Sequence, residues 1–172
     1  MTFSFRPAEA HEVPAVFDLI MSRVRWMDEK GIRQWNATDY AGCYPPEHYE
    51  AARQRGELFL LMDEHGIAAC GVLRREDERW PESLQAAEPA FYLHHLASRV
   101  GEKGAGSIFL ARAEEYAAQQ CKTRMRLDSA DDNTFLTDYY TCRGYVPAGA
   151  CVDGLYTGIL REKVLPPAIQ SP

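Results

Sequence analysis

The sequence predicts a mixed α/β fold, a single domain built on a central sheet of about seven strands in the order β α α β β β α β α β β. Three observations lead there. Apolar residues recur every three or four positions over residues 11–30 and again over 104–120, the period of a helix lying on a core. Short runs rich in aromatic and aliphatic residues, bounded by glycine, proline or aspartate, supply the strands. Strand–helix–strand units force parallel pairing while tight hairpins pair antiparallel, so the sheet is mixed.

Taken in order, Thr2–Arg6 alternates, with Phe3 and Phe5 on one side, and stops at Pro7 as a first strand. A helix follows from His11 to Lys30. Its stripe is Val13, Val16, Phe17, Ile20, Val24 and Met27; Pro14 sits near the start, where a missing N–H does little harm, and Gly31 stops it. Tyr44-Pro45-Pro46 is a turn, and Pro46–Gln54 is a second helix closed by Gly56. Glu57–Met62 and Ile67–Leu73 read as a hairpin around Asp63–Gly66. Arg74–Pro89 is charged, shows no period and reads as a surface loop. Ala90–Ala97 is the central strand. The helix from Gly104 to Gln120 puts Ala105, Phe109, Ala113, Tyr116 and Ala117 on one face. Met125 and Leu127 then alternate with Arg124 and Arg126 in a strand. Asp131–Arg143 is the last helix, with Asp131 or Asp132 as N-cap and Gly144 as its stop. Tyr145–Cys151 and Leu155–Glu162 finish the sheet around an Asp153-Gly154 turn. The domain spans residues 1–165, and 166–172 reads as a frayed tail.

Composition excludes several classes. A net charge of −6 leaves no basic stripe for a nucleic-acid surface. The five cysteines (Cys43, Cys70, Cys121, Cys142, Cys151) are widely spaced without a Cys-x-x-Cys pair. Neither a metal site nor a disulfide framework is predicted; buried or half-buried thiols in a reducing compartment are. Met1-Thr-Phe-Ser-Phe-Arg6 lacks the apolar core of a signal peptide, and no apolar run approaches the roughly 20 residues of a spanning helix. A cytoplasmic protein with neither membrane nor nucleic-acid partners is the expectation.

Chemistry concentrates between Phe91 and Tyr145. Gly101-Glu102-Lys103-Gly104-Ala105-Gly106 follows a strand and opens a helix, so unpaired backbone N–H groups are offered to an anion. A P-loop would need Gly-Lys-Ser/Thr after four intervening residues, which is missing. A dinucleotide fingerprint comes closer, because Asp128 ends the next strand about twenty residues on. Its third glycine position holds Phe109, too bulky for close helix–strand packing, and the unit occurs once in mid-chain.

A third phosphate ligand, acyl-coenzyme A, comes from a resemblance. From first strand to last, the chain resembles the GCN5-related N-acetyltransferase (GNAT) family, whose pyrophosphate motif is Arg/Gln-x-x-Gly-x-Gly/Ala after the fourth strand. Gly104 and Gly106 match; Gly101 stands at the Arg/Gln position, and Ser98 where an aliphatic residue is usual. Tyr92-Leu93-His94-His95-Leu96-Ala97 looks like the strand leading in. Arg126-Leu127-Asp128, Asn133 and Tyr140-x-x-x-Gly144-Tyr145 resemble the family's closing pattern.

The resemblance implies a GNAT-like fold and direct transfer of an acetyl group from acetyl-coenzyme A, as co-substrate, to a small-molecule or peptide amine. Tyr140 matches the tyrosine that protonates the departing thiolate, and its high ordinary pKa keeps it protonated at neutral pH; Tyr139 is then its core neighbour. Backbone of Leu96, Ala97 and Ser98 falls where an N–H donor meets the thioester oxygen and where the pantetheine arm pairs. Gly101, Glu102, Lys103, Gly104, Ala105, Gly106 and Ser107 form the phosphate cradle. Asn133 reaches the pantetheine arm or caps a helix. His94 and His95 point to opposite faces of the strand; His94 ranks first as general base and acceptor contact, with His95 or water as alternatives. Trp26 and Trp35, near the end of the first helix, line an acceptor pocket or pack the core. The implied enzyme is a monomer or homodimer. A binding module that keeps the acyl-coenzyme A site without catalysing is the alternative.

Overall fold

The computed structural model describes residues 2–167. Its elements in chain order are β1 (Ser4–Pro7), α1 (Val13–Lys30), α2 (Tyr40–Cys43), α3 (Pro46–Gln54), β2 (Leu58–Asp63) and β3 (Gly66–Arg74). Then come α4 (Glu82–Ala87), β4 (Ala90–Ser98), α5 (Ala105–Gln119), β5 (Arg124–Ala130), α6 (Thr134–Thr141), β6 (Val146–Asp153) and β7 (Tyr156–Val164). The seven strands follow the order β1-β2-β3-β4-β5-β7-β6. The chain divides into two compact units, one of Met1–Leu73 with His94–Arg112, the other of Arg74–Leu93 with Ala113–Pro172.

In the first unit β1 pairs antiparallel with β2, Ser4 opposite Met62, and β2 with β3, Leu58 opposite Val72. A short 3-10 turn, Ala10–Glu12, leads into α1, and Glu9 and Glu12 form a reciprocal capping box there. The apolar stripe of α1 buries Val13, Val16, Leu19, Ile20 and Met27. Together with Tyr40, Tyr49, Leu58, Leu60, Cys70, Val72 and Ala97, most of that stripe makes one core. Each fully buried aliphatic side chain there is worth about 1.5–3 kcal/mol against exposure.

In the second unit β4 runs parallel to β5, with Phe91 opposite Met125. β5 and β7 are antiparallel over seven residues, Arg124 opposite Val164 through Ala130 opposite Gly158. β6 and β7 form a hairpin with Asp153 opposite Tyr156. Its two turn residues are therefore Gly154 and Leu155, one position beyond the Asp153-Gly154 turn predicted. Gly154 has φ +59°, as the first central position of a primed hairpin turn demands.

The Arg74–Pro89 segment is not a surface loop. It contains α4, and it buries Trp80 and Asp77 to 2% and 1% exposure. Strand alternation put Arg126 outward with Arg124, yet Arg126 is fully buried because this segment covers it: Trp80 lies 4.8 Å beneath its guanidinium and Glu88 accepts from Nη2 at 3.0 Å. A run without period hid a cover anchored by one tryptophan.

Two further expectations change. Asn133, not Asp131 or Asp132, caps α6: its Oδ1 accepts from Leu136 N at 2.9 Å. Cys70 and Cys151 are buried, but Cys43, Cys121 and Cys142 are exposed. Of the predicted tail, Pro166 and Pro167 are exposed and irregular, and 168–172 lie outside the described residues.

Candidate active site

In the first unit the glycine turn follows β4. Gly101 and Gly104 have φ of +86° and +88°, where a side chain costs roughly 1–2 kcal/mol. A Cβ built on either meets nothing within 4 Å. Backbone conformation selects glycine, and the space a side chain would occupy stays open for a ligand. Gly104 O accepts from Ile108 N at 3.0 Å, so Gly104 opens α5. The amides of Ala105 and Gly106 fall in the first turn, where a helix supplies no carbonyl partner. This arrangement suits a phosphate.

The side chains around the turn are tied down. Arg99 bonds Asp63 and donates to Glu102 at 3.2 Å, which neutralises the one acidic residue of the turn. That contact holds the Asp63 carboxyl below its ordinary range. Lys103 is exposed; Ser107 is half-buried in α5. Ser98 is explained by Arg23 of α1, which donates to Ser98 O, to Ser98 Oγ at 2.6 Å and to Arg99 O at 3.2 Å. An aliphatic side chain could not accept there. Nothing in the local sequence signals Arg23, because the contact spans 75 residues.

Strand β4 breaks at His95, whose φ is +55°. The break ends the alternation that put His94 and His95 on opposite faces, and their ring centroids lie 6.1 Å apart. His95 Nδ1 bonds the Tyr40 hydroxyl, and its Nε2 lies 3.2 Å from His48 Nε2. Burial pushes the Tyr40 pKa well up, so its hydroxyl keeps its proton at neutral pH. Both ring nitrogens of His95 are committed. His94 is half-buried on the same strand.

Trp35 stacks on Tyr40 at 4.9 Å and so joins this cluster, whereas Trp26 lies 5.0 Å below the Arg23 guanidinium. The two tryptophans belong to different surroundings. Tyr44, with its ring 4.5 Å from His95, and His48 were not anticipated; Tyr44-Pro45-Pro46 read as a turn and nothing more.

In the second unit Tyr140 is 8% exposed, edge-on to Tyr145 at 5.6 Å. Burial foremost, then Tyr139 and Asp128, pushes its pKa up; Arg143 and Arg161 pull it partly back. The phenol is a proton donor at neutral pH. Tyr139 is not its core neighbour: it is half-buried with the Arg143 guanidinium 3.5 Å above its ring. Asn133 spends its carbonyl on the α6 cap.

Comparison with known proteins gives a consistent picture. The family model described as Acetyltransferase (GNAT) family matches residues 29–145. The chain is 26% identical over 162 residues to the uncharacterized N-acetyltransferase YesJ of Bacillus subtilis, covering 87% of this chain and 85% of that protein. A GNAT-family acetyltransferase from Listeria monocytogenes superposes with a TM-score of 0.77 at 24% identity, covering 95% of each chain. The PaiA N-acetyltransferase of Thermoplasma acidophilum, crystallised with coenzyme A, superposes at 0.72 and 14% identity over 95% of this chain and 99% of that one.

Proposed function

This chain belongs to the acetyltransferase (GNAT) family, and on that premise we propose that it acetylates a primary amine of a small molecule or peptide by direct attack, with acetyl-coenzyme A as co-substrate. The observation that carries the reading is the turn before α5, where two left-handed glycines face open space ahead of a helix N-terminus. Acetyl-coenzyme A, when bound, supplies an activated acetyl thioester. Gly101 to Ser107 would hold its pyrophosphate, with Glu102 already neutralised by Arg99. The backbone of Leu96 to Ser98 would hold the pantetheine arm and offer an N–H to the thioester oxygen. Ser98 contributes chiefly its N–H, since Arg23 holds its carbonyl. Asn133 would add its amide NH2.

Tyr140 is assigned as general acid, buried and protonated until the thiolate departs. His94 is assigned as the base that takes the acceptor's proton, directly or through water. Trp35 and His94 are proposed acceptor contacts; Trp26, under Arg23, supports the cradle more than the acceptor.

The experiment combines thermal shift with thiol release. Acetyl-coenzyme A at 100 times its dissociation constant stabilises by about 2.7 kcal/mol, and a nicotinamide dinucleotide gives no shift. Thiol release is then followed across amino acids, polyamines, aminosugars and peptide N-termini. Stabilisation without release from any amine would leave the non-catalytic binding module standing instead.

A further inference from the structure

Two arginines of the second unit are almost wholly buried, and only one has its charge answered. Arg126, fully buried, donates to Glu88 at 3.0 Å, Glu162 at 3.2 Å and the Tyr92 hydroxyl at 3.0 Å. Arg161, 1% exposed, donates only to hydroxyls: Nε to Ser129 Oγ at 2.9 Å and Nη2 to Thr137 Oγ1 at 3.0 Å. Its Nη1 is buried with no hydrogen-bond partner, and no carboxylate pairs it among the described residues. A buried cation without a counter-charge is costly, and an apolar residue of similar volume is often the more stable choice. Packing therefore does not account for Arg161.

Its neighbour does. Thr137, which accepts from Arg161, stands three residues before Tyr140 on α6 and so shares its face of the helix. Of the charges acting on the Tyr140 phenol, Arg161 and Arg143 favour its ionised form. Arg143 is exposed enough to lie over Tyr139. Arg161 is shielded from water, where a charge acts more strongly.

We propose that Arg161 is a positioning residue for the acetyl transfer, acting through Tyr140 by stabilising the phenolate that the general acid becomes. In that step the carbon–sulfur bond breaks with its electron pair going to sulfur. The Tyr140 proton passes from Oη to that sulfur, and the negative charge left on Oη is stabilised by the field of the Arg161 guanidinium until a proton from solvent restores the phenol. The inference rests on Tyr140 being the acid. Desolvation makes the proton hard to give up, and a fixed buried cation offsets that without reorganising.

The test is a double-mutant cycle with acetyl-coenzyme A and the amine showing fastest thiol release. Arg161→Met should lower kcat on the order of 100-fold, leave the coenzyme A dissociation constant within about twofold, and keep or raise Tm. In a Tyr140→Phe background the same change should alter kcat by less than about twofold, because the charge has nothing left to act on. Arg161→Lys should recover part of the loss. Should Arg161→Met fail to fold, Arg161→Gln carries the same expectations for kcat and the cycle. Wild-type kcat in the Met or Gln variant, multiplicative losses in the cycle, or a fall in Tm of more than about 5 °C with normal kcat would overturn the proposal. Wild-type kcat in Tyr140→Phe would instead remove the acid assignment on which it rests.

Discussion

Arg23 Nη2 donates to Ser98 Oγ at 2.6 Å, fixing α1 to the end of β4 immediately before the glycine turn. The same guanidinium holds the carbonyls of Ser98 and Arg99, and burial draws its own pKa down. Arg23→Met removes three hydrogen bonds, made by two donor nitrogens, at once. Hydrogen bonds from a charged group contribute about 1.5–3 kcal/mol each in favourable cases, so coenzyme A affinity should fall by about tenfold or more. Ser98→Ala should lose far less, because the carbonyl contacts survive. Calorimetric titration of both variants checks the order.

Gly104→Val should weaken coenzyme A binding beyond any loss of stability. The left-handed φ of +88° strains any side chain, and the new methyls enter space that is open without ligand. Tm and dissociation constant measured together separate the strain from the blockage. Wild-type affinity would remove the cradle assignment.

Tyr140→Phe should lower kcat by 10²–10⁴-fold, the usual span for a general acid, with coenzyme A affinity unchanged. The ring contacts with Tyr145 survive the change, so Tm should move little. Single-turnover thiol release is the measurement.

Acid stability should depend on Glu12. Arg6 holds its carboxyl with bonds of 2.7 and 2.8 Å, and that contact, ahead of the opposing desolvation, lowers its pKa to about 2. The folded pKa lies below the unfolded one, so the contribution is complete above the unfolded value of about 4.3 and is lost as pH falls toward 2. Integrated, it is on the order of 2–3 kcal/mol. Glu12→Gln should lower stability at neutral pH and flatten the decline between those values. Urea midpoints at pH 7, 4 and 2.5 decide it.

Much of the fold was legible in the sequence. Periodicity located α1 and placed α3 at Pro46–Gln54, and the motifs around the glycine turn and Tyr140 carried the resemblance to the family whose model matches residues 29–145. What stayed hidden arises from contacts distant in sequence. Trp80 has no period around it, so α4 and the burial of Arg126 were invisible together. Arg161 falls within the strand read over Leu155–Glu162, but nothing in that run sets it apart from Glu162 and Lys163 until β5 and α6 enclose it. The φ at His95 reverses an alternation that composition alone cannot break, and Asn133 took the cap because the helix began later than its flanking aspartates implied.

The exposed thiols have a practical bearing on how turnover is observed. Cys43, Cys121 and Cys142 lie at the surface, while Cys70 is buried and its thiol is pushed up to about 12 by desolvation. A disulfide dye that reports released coenzyme A will therefore also consume protein sulfur, and three slow equivalents per chain would imitate a faint background activity. Replacing those three cysteines with serine silences the blank and leaves Cys70 and Cys151 in place within the fold.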